Sequence, residues 1–139
     1  QPAAIMATVS PRVEDGLPVL RIPELTDEVL RGIGRVHLVG CGTAMHAGMV
    51  GKSAIETLAR VPAEVDIASE FRYRDPILEK NDLVIIISQS GETSDTLAAL
   101  KLAKSRGVPV LAMHAPFEVV SKLDCYETYK GMKAVYEAE

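Results

Sequence analysis

The run Leu83-Val84-Ile85-Ile86-Ile87-Ser88-Gln89-Ser90-Gly91-Glu92-Thr93 constrains this chain more than any other stretch. Five successive apolar residues, mostly β-branched, predict a strand buried on both faces, the habit of parallel sheets. The polar loop Ser88–Thr93 follows at once. Thr93–Arg106, with Leu97, Leu100 and Leu102 among good helix formers, predicts a helix. Strand, short polar loop and helix in that order aim backbone N–H groups at an anion. The loop offers three hydroxyls (Ser88, Ser90, Thr93), one amide (Gln89), one Gly and no Lys or Arg. That composition suits a phosphate held by neutral donors. Capping alone needs a single hydroxyl, worth about 1 kcal/mol, so the density of donors exceeds what a helix start requires. Glu92 falls in the expected first turn, where it complements the helix dipole; a phosphate would repel it.

The same alternation recurs along the chain. Arg35–Gly40 reads as a first strand, Ala44–Arg60 as a helix, Ala63–Ile67 as a second strand, 83–88 as a third and Val108–Met113 as a fourth. Gly48 and Gly51 would let the helix lie close to the sheet, and Pro62 ends it. Thr26 is placed to cap a helix running to about Arg31, with Gly32 and Gly34 ending it. Ala68–Arg74 reads as a polar connection of one or two helical turns. Strands alternating with such helices predict βαβ units, a parallel sheet and right-handed crossovers that place helices on both faces. The expected class is α/β, a three-layer sandwich. Ligands in such sheets sit beyond the carboxyl ends of the strands, near the switch in strand order. Gly40–Thr43 and Ser88–Thr93 leave strands there, so Thr43 joins the candidate donors. Residues 1–23 hold four of the eight prolines and predict a short helix at Ala3–Thr8, then an extended arm. Residues 24–139 are expected to form one domain, with a tail over 116–139 that holds a helix at about Lys130–Ala138.

Composition narrows the function classes. A chain of 139 residues, 47% of them hydrophobic, can bury a real core. A net charge of -4 leaves no basic footprint for nucleic acid, and 4% aromatics with no Trp offer no base-stacking platform. No apolar run approaches the roughly 18 residues needed to cross a membrane, and no signal-peptide pattern opens the chain. Cys41 and Cys125 lack metal-type spacing, so free thiols in a reducing, cytoplasmic compartment are expected, with no metal and no cofactor. The first residue is Gln1, and a longer parent chain is expected.

Other chemistry-bearing residues have plainer readings. Cys41 at a strand end is a small buried hydrophobe rather than a nucleophile. His37 inside a strand and His46 on a helix read as structural, while His114 ends a strand on the ligand side. Glu64 and Asp66 alternate on a strand and read as edge-facing. Glu70, Arg72, Tyr73 and Arg74 form a polar run, either a solvated loop or a subunit or domain contact. Gly40-Cys41-Gly42-Thr43 begins like a dinucleotide fingerprint, but Met45 stands where G-x-G-x-x-G needs its third Gly.

Three motifs, Cys41-Gly42-Thr43, Ala68-Ser69-Glu70-Phe71-Arg72-Tyr73-Arg74 and Ser88-Gln89-Ser90-Gly91-Glu92-Thr93, occur in an order that resembles the sugar isomerase (SIS) fold. More narrowly, they resemble the isomerase region of the glutamine–fructose-6-phosphate aminotransferase family. Gln1-Pro2-Ala3-Ala4-Ile5 is similar to the segment entering that region from the glutaminase domain. The likeness covers roughly residues 1–112. It implies a flavodoxin-like, five-stranded parallel sheet and a ligand of fructose 6-phosphate or glucosamine 6-phosphate. It also implies Thr43, Ser88, Gln89, Ser90 and Thr93 as phosphate and sugar contacts, and a homodimer. The chain departs from the pattern at His114-Ala115-Pro116-Phe117, where the family has an Asn-containing loop and a Gly-Ser-Ser turn. The family's ring-opening His, enolisation Glu and Schiff-base Lys belong to a second SIS half and its tail, and no motif for them is found. The resemblance therefore implies a first SIS half, lacking the second half and the glutaminase domain, that binds sugar phosphate without turning it over. A stand-alone SIS sensor of sugar phosphate is the alternative. A nucleotide-binding doubly wound domain is a third reading, and the broken fingerprint counts against it.

Overall fold

The computed structural model describes residues 2–19, 22–89 and 93–113. They belong to two compact units, residues 1–32 and 33–139.

In the first unit, helix α1 (Pro2–Val9) runs into a 3₁₀ turn, Ser10–Arg12. Strands β1 (Val13–Glu14) and β2 (Leu17–Pro18) then form an antiparallel hairpin. Its two-residue loop is Asp15-Gly16, with φ 51° and 78°. Positive φ at both central positions is the type I′ geometry that Asp-Gly favours. The expected extended arm is therefore folded back on itself here. Helix α2 (Asp27–Gly32) starts as its cap predicts: the Val29 N–H donates to Thr26 Oγ1 at 3.3 Å.

The second unit is a parallel sheet between helices. Its strands are β3 (Arg35–Gly40), β4 (Ala63–Ile67), β5 (Asp82–Ile87) and β6 (Val110–Met113), in the order β4-β3-β5-β6. All three pairings are parallel. A fifth strand, as the resemblance implies, would fall among residues outside those described. One face carries α3 (Thr43–Ala54), continued by a wider π-type turn, Ile55–Ala59. Gly48 makes the close approach possible, since a Cβ there would stand 3.4 Å from both Leu38 and Val65. The other face carries α4 (Ala68–Tyr73) and α5 (Ser94–Ser105). There Val39, Val84 and Ile86 pack with Ala68, Phe71, Ala99, Leu100 and Ala103 in one buried cluster. Alternate residues of the central strands thus feed opposite layers, giving a three-layer α/β sandwich.

Glu56 in the π-type turn braces the start of β4. Its Oε1 accepts from Lys52 Nζ at 2.6 Å and from the Ala63 N–H at 3.2 Å, while Lys52 also donates to the Ala63 carbonyl. The Lys52 hydrogen bond, then that of Ala63, holds the Glu56 carboxyl below its ordinary value of 4.5. A lowered folded-state value means stability present above the ordinary value and lost as pH falls through the lowered one. Glu56→Gln is accordingly expected to lower stability at neutral pH, with the deficit shrinking as pH drops below about 4.5. Urea unfolding of both chains at a series of pH values checks this; a deficit that stays constant into acid would refute it.

Candidate functional site

The two polar loops leave neighbouring strands. Gly40 and Ile87 are register partners, so Cys41 and Ser88 emerge side by side at the carboxyl edge of the sheet. The chain steps from β3 outward to β4 on one side and from β5 outward to β6 on the other. The strand order therefore reverses between β3 and β5. Their following helices, α3 and α5, diverge to opposite faces, the arrangement that opens a crevice.

The loop after β3 is a type II′ turn. Gly42 has φ 55° and ψ -126°, the geometry of the first central residue, and the Ala44 N–H donates to the Cys41 carbonyl at 3.1 Å. Only Gly adopts that conformation without strain. The turn delivers Thr43, with its side chain exposed, as the first residue of α3. No side chain caps this helix, and the Met45 N–H donates to the Gly42 carbonyl at 3.1 Å.

The loop after β5 is anchored at its base. The Ser88 N–H donates to the Met113 carbonyl at 2.9 Å, joining the loop to the end of β6. Ser88 is 7% exposed, whereas Gln89 is exposed. Thr93, also exposed, precedes α5 in an extended conformation. Its carbonyl accepts from the N–H groups of Thr96 at 2.9 Å and Leu97 at 3.2 Å. Its hydroxyl makes no capping bond to the helix. Ser90, with Gly91 and Glu92, lies outside the described residues. Of the five candidate donors, Thr43, Ser88, Gln89 and Thr93 thus all stand at the carboxyl edge of β3 and β5 or begin the next helix.

Thr96, which carries no distinguishing sequence signal, links the two loops. It is 1% exposed, and its Oγ1 lies 4.0 Å from Cys41 Sγ. Cys41 is a free thiol packed against the core cluster, half-buried where the sequence predicts full burial. The polar run at 70–74 covers the end of α4 and its C-cap, and Glu70, Arg72, Tyr73 and Arg74 are all exposed. Phe71 is buried, Arg72 donates to Asp95 at 3.2 Å, and the Arg72 guanidinium stacks 5.0 Å from the Tyr73 ring. Arg74 donates to Asp66 at 2.7 Å. Asp66 sits on edge strand β4 yet is only 8% exposed. Burial raises its carboxyl above the ordinary value, against the opposing pull of Arg74 and then His37. Among the described residues, no helix is long and apolar enough to cross a membrane.

Residues 29–116 match the family model for the SIS domain. The glutamine–fructose-6-phosphate aminotransferase of Clostridium acetobutylicum is 56% identical over 114 residues, which are 81% of this chain and 19% of that protein. That of Mycolicibacterium paratuberculosis is 50% identical over 113 residues, 81% of this chain and 18% of its own length. The chain thus spans about a fifth of the length of these curated relatives. Among solved structures, the C-terminal domain of glucosamine-fructose-6-phosphate aminotransferase from Francisella tularensis superposes with a TM-score of 0.74 at 29% identity. The superposition covers 98% of this chain and 43% of that one.

Proposed function

The chain belongs to the SIS domain family, and from that premise we propose that it is the sugar-phosphate-binding first half of the isomerase region of a glutamine–fructose-6-phosphate aminotransferase. The observation that carries the reading is the switch in strand order between β3 and β5, which sets Cys41 and Ser88, the first residues after these two strands, side by side at one edge of the sheet. The ligand is the phosphate end of fructose 6-phosphate or glucosamine 6-phosphate. Thr43, Ser88, Gln89, Ser90 and Thr93 hold it through hydroxyls, an amide and backbone N–H groups. Hydrogen bonds to an ionised acceptor are about twice as strong as neutral ones, so several together replace a cation. The chain fixes the phosphate and presents the sugar carbons to acid–base groups on the rest of the full-length enzyme. It works there as a homodimer, in the cytoplasm, where its widely spaced cysteines stay reduced.

Calorimetric titration tests this. Fructose 6-phosphate and glucosamine 6-phosphate are expected to bind, unphosphorylated fructose is not, and ammonia-dependent synthesis by the isolated chain is expected to be undetectable. Equal binding of fructose, or none of either phosphate, would remove the phosphate site. Product formation would place catalytic groups within these 139 residues.

A further inference from the structure

A second polar cluster lies on the sheet face that carries α4, where His37 meets Phe71. His37 and Glu64 are register partners on β3 and β4, and Asp66 is on the same face two residues further. One potential ligand atom from each of the three lies within 4.8 Å of the others. His37 is 1% exposed. Its Nε2 faces Asp82 Oδ2 at 3.4 Å, and that oxygen also accepts from the Glu79 N–H at 2.9 Å. Its Nδ1 has no hydrogen-bond partner, and stands 4.0 Å from Glu64 Oε2. Buried polar atoms are nearly always satisfied, so an orphan at the centre of two carboxylates calls for an explanation.

We propose that His37 Nδ1, Glu64 and Asp66 form a binding site for a divalent transition-metal ion, Zn²⁺ in the first place. Asp82 supplies the support such sites use. A carboxylate accepting from one ring nitrogen fixes the tautomer and orients the lone pair of the other towards the metal. One imidazole and two carboxylates suit Zn²⁺, Co²⁺ or Ni²⁺ rather than a hard ion such as Ca²⁺. In a tetrahedral zinc site, ligand atoms stand about 3.4 Å apart. The present spacing needs only small rotations, and Glu64, with half its side chain exposed, is free to make them. A cavity of about 370 Å³, lined by Arg35, His37, Glu64, Arg74, Asp75 and Pro76 among others, gives entry and room for a water as fourth ligand. Arg74 already donates to Asp66 Oδ2 at 2.7 Å and stands 4.0 Å from Glu64 Oε2, so it must swing aside as the ion enters, while Arg35 lies 4.0 Å from Glu64 Oε1. Three carboxylates (Glu64, Asp66, Asp82) against these two guanidiniums leave the cluster acidic. The ion would tie edge strand β4 to β3 and, through Asp82, to β5.

The test is titration of the whole, chelator-stripped chain with Co²⁺, read by visible absorption, followed by competition with Zn²⁺. One saturable ion per chain, displaced by Zn²⁺, and a rise in Tm with Zn²⁺ are expected. Glu64→Gln, at a position exposed enough to spare the fold, should weaken binding at least tenfold, and His37→Gln should abolish it. No saturable binding, unchanged affinity in Glu64→Gln, or a cobalt–thiolate charge-transfer band placing the ion on a cysteine would each overturn the proposal.

Discussion

Phe71→Ala is expected to cost the domain about 3–5 kcal/mol, the usual range for emptying a large aromatic site in a core. Phe71 is 0% exposed and among the largest fully buried side chains. It sits on α4, a helix of six residues that is too short to be stable alone. Its hold on the sheet comes from burying Ala68 and Phe71 against Val39, Val84 and Ile86. The ring also meets His37 edge-on, with centroids 6.2 Å apart. Removing it unseats the helix and opens a void that neighbours on two strands and α5 fill only partly. Against total stabilities of about 5–15 kcal/mol, a loss of this size shows as a large fall in the urea midpoint. A midpoint within the error of the parent would mean that α4 does not depend on this side chain.

Gly42→Val is expected to reduce affinity for fructose 6-phosphate at least tenfold, equivalent to about 1.4 kcal/mol, with a separate stability loss of about 1–3 kcal/mol from backbone strain. The cause is conformational. A β-branched residue does not adopt φ 55°, ψ -126°, so the type II′ turn must open. Opening it displaces Thr43 and re-aims the first N–H groups of α3. No atom lies within 4 Å of a Cβ built at Gly42, so crowding does not explain the effect. Thr43→Ala is the comparison: it keeps the turn and removes one hydroxyl, and should weaken binding less. Calorimetry on both variants, alongside urea unfolding, separates the two effects. Parental affinity in Gly42→Val would remove this turn from the site.

Much of the fold is legible in the residues. The apolar run at 83–87 is a central strand because a segment with no polar alternation needs cover on both faces, and α3 and α5 supply it. Thr26, Gly42 and Pro62 mark element ends through chemistry that acts within a few residues. The Asp15-Gly16 hairpin is written just as locally, in a dipeptide that favours positive φ, but four prolines nearby make the stretch look extended. The segment at 68–74 is harder. Its single Phe is outnumbered by charges, and only docking shows that Phe71 is core while Arg72 and Arg74 reach Asp95 and Asp66.

Local chemistry thus sets most strand, turn and cap positions, and which loops are rich in hydroxyls and amides, because periodicity and turn preference operate over a few neighbouring residues. The strand order β4-β3-β5-β6 is a different matter. It decides that the Cys41 and Ser88 loops share one edge, and it brings His37 to Asp82, 45 residues away. Those placements follow from pairing and from packing of whole layers, where the free energy belongs to surfaces in contact and no short stretch of chain encodes it.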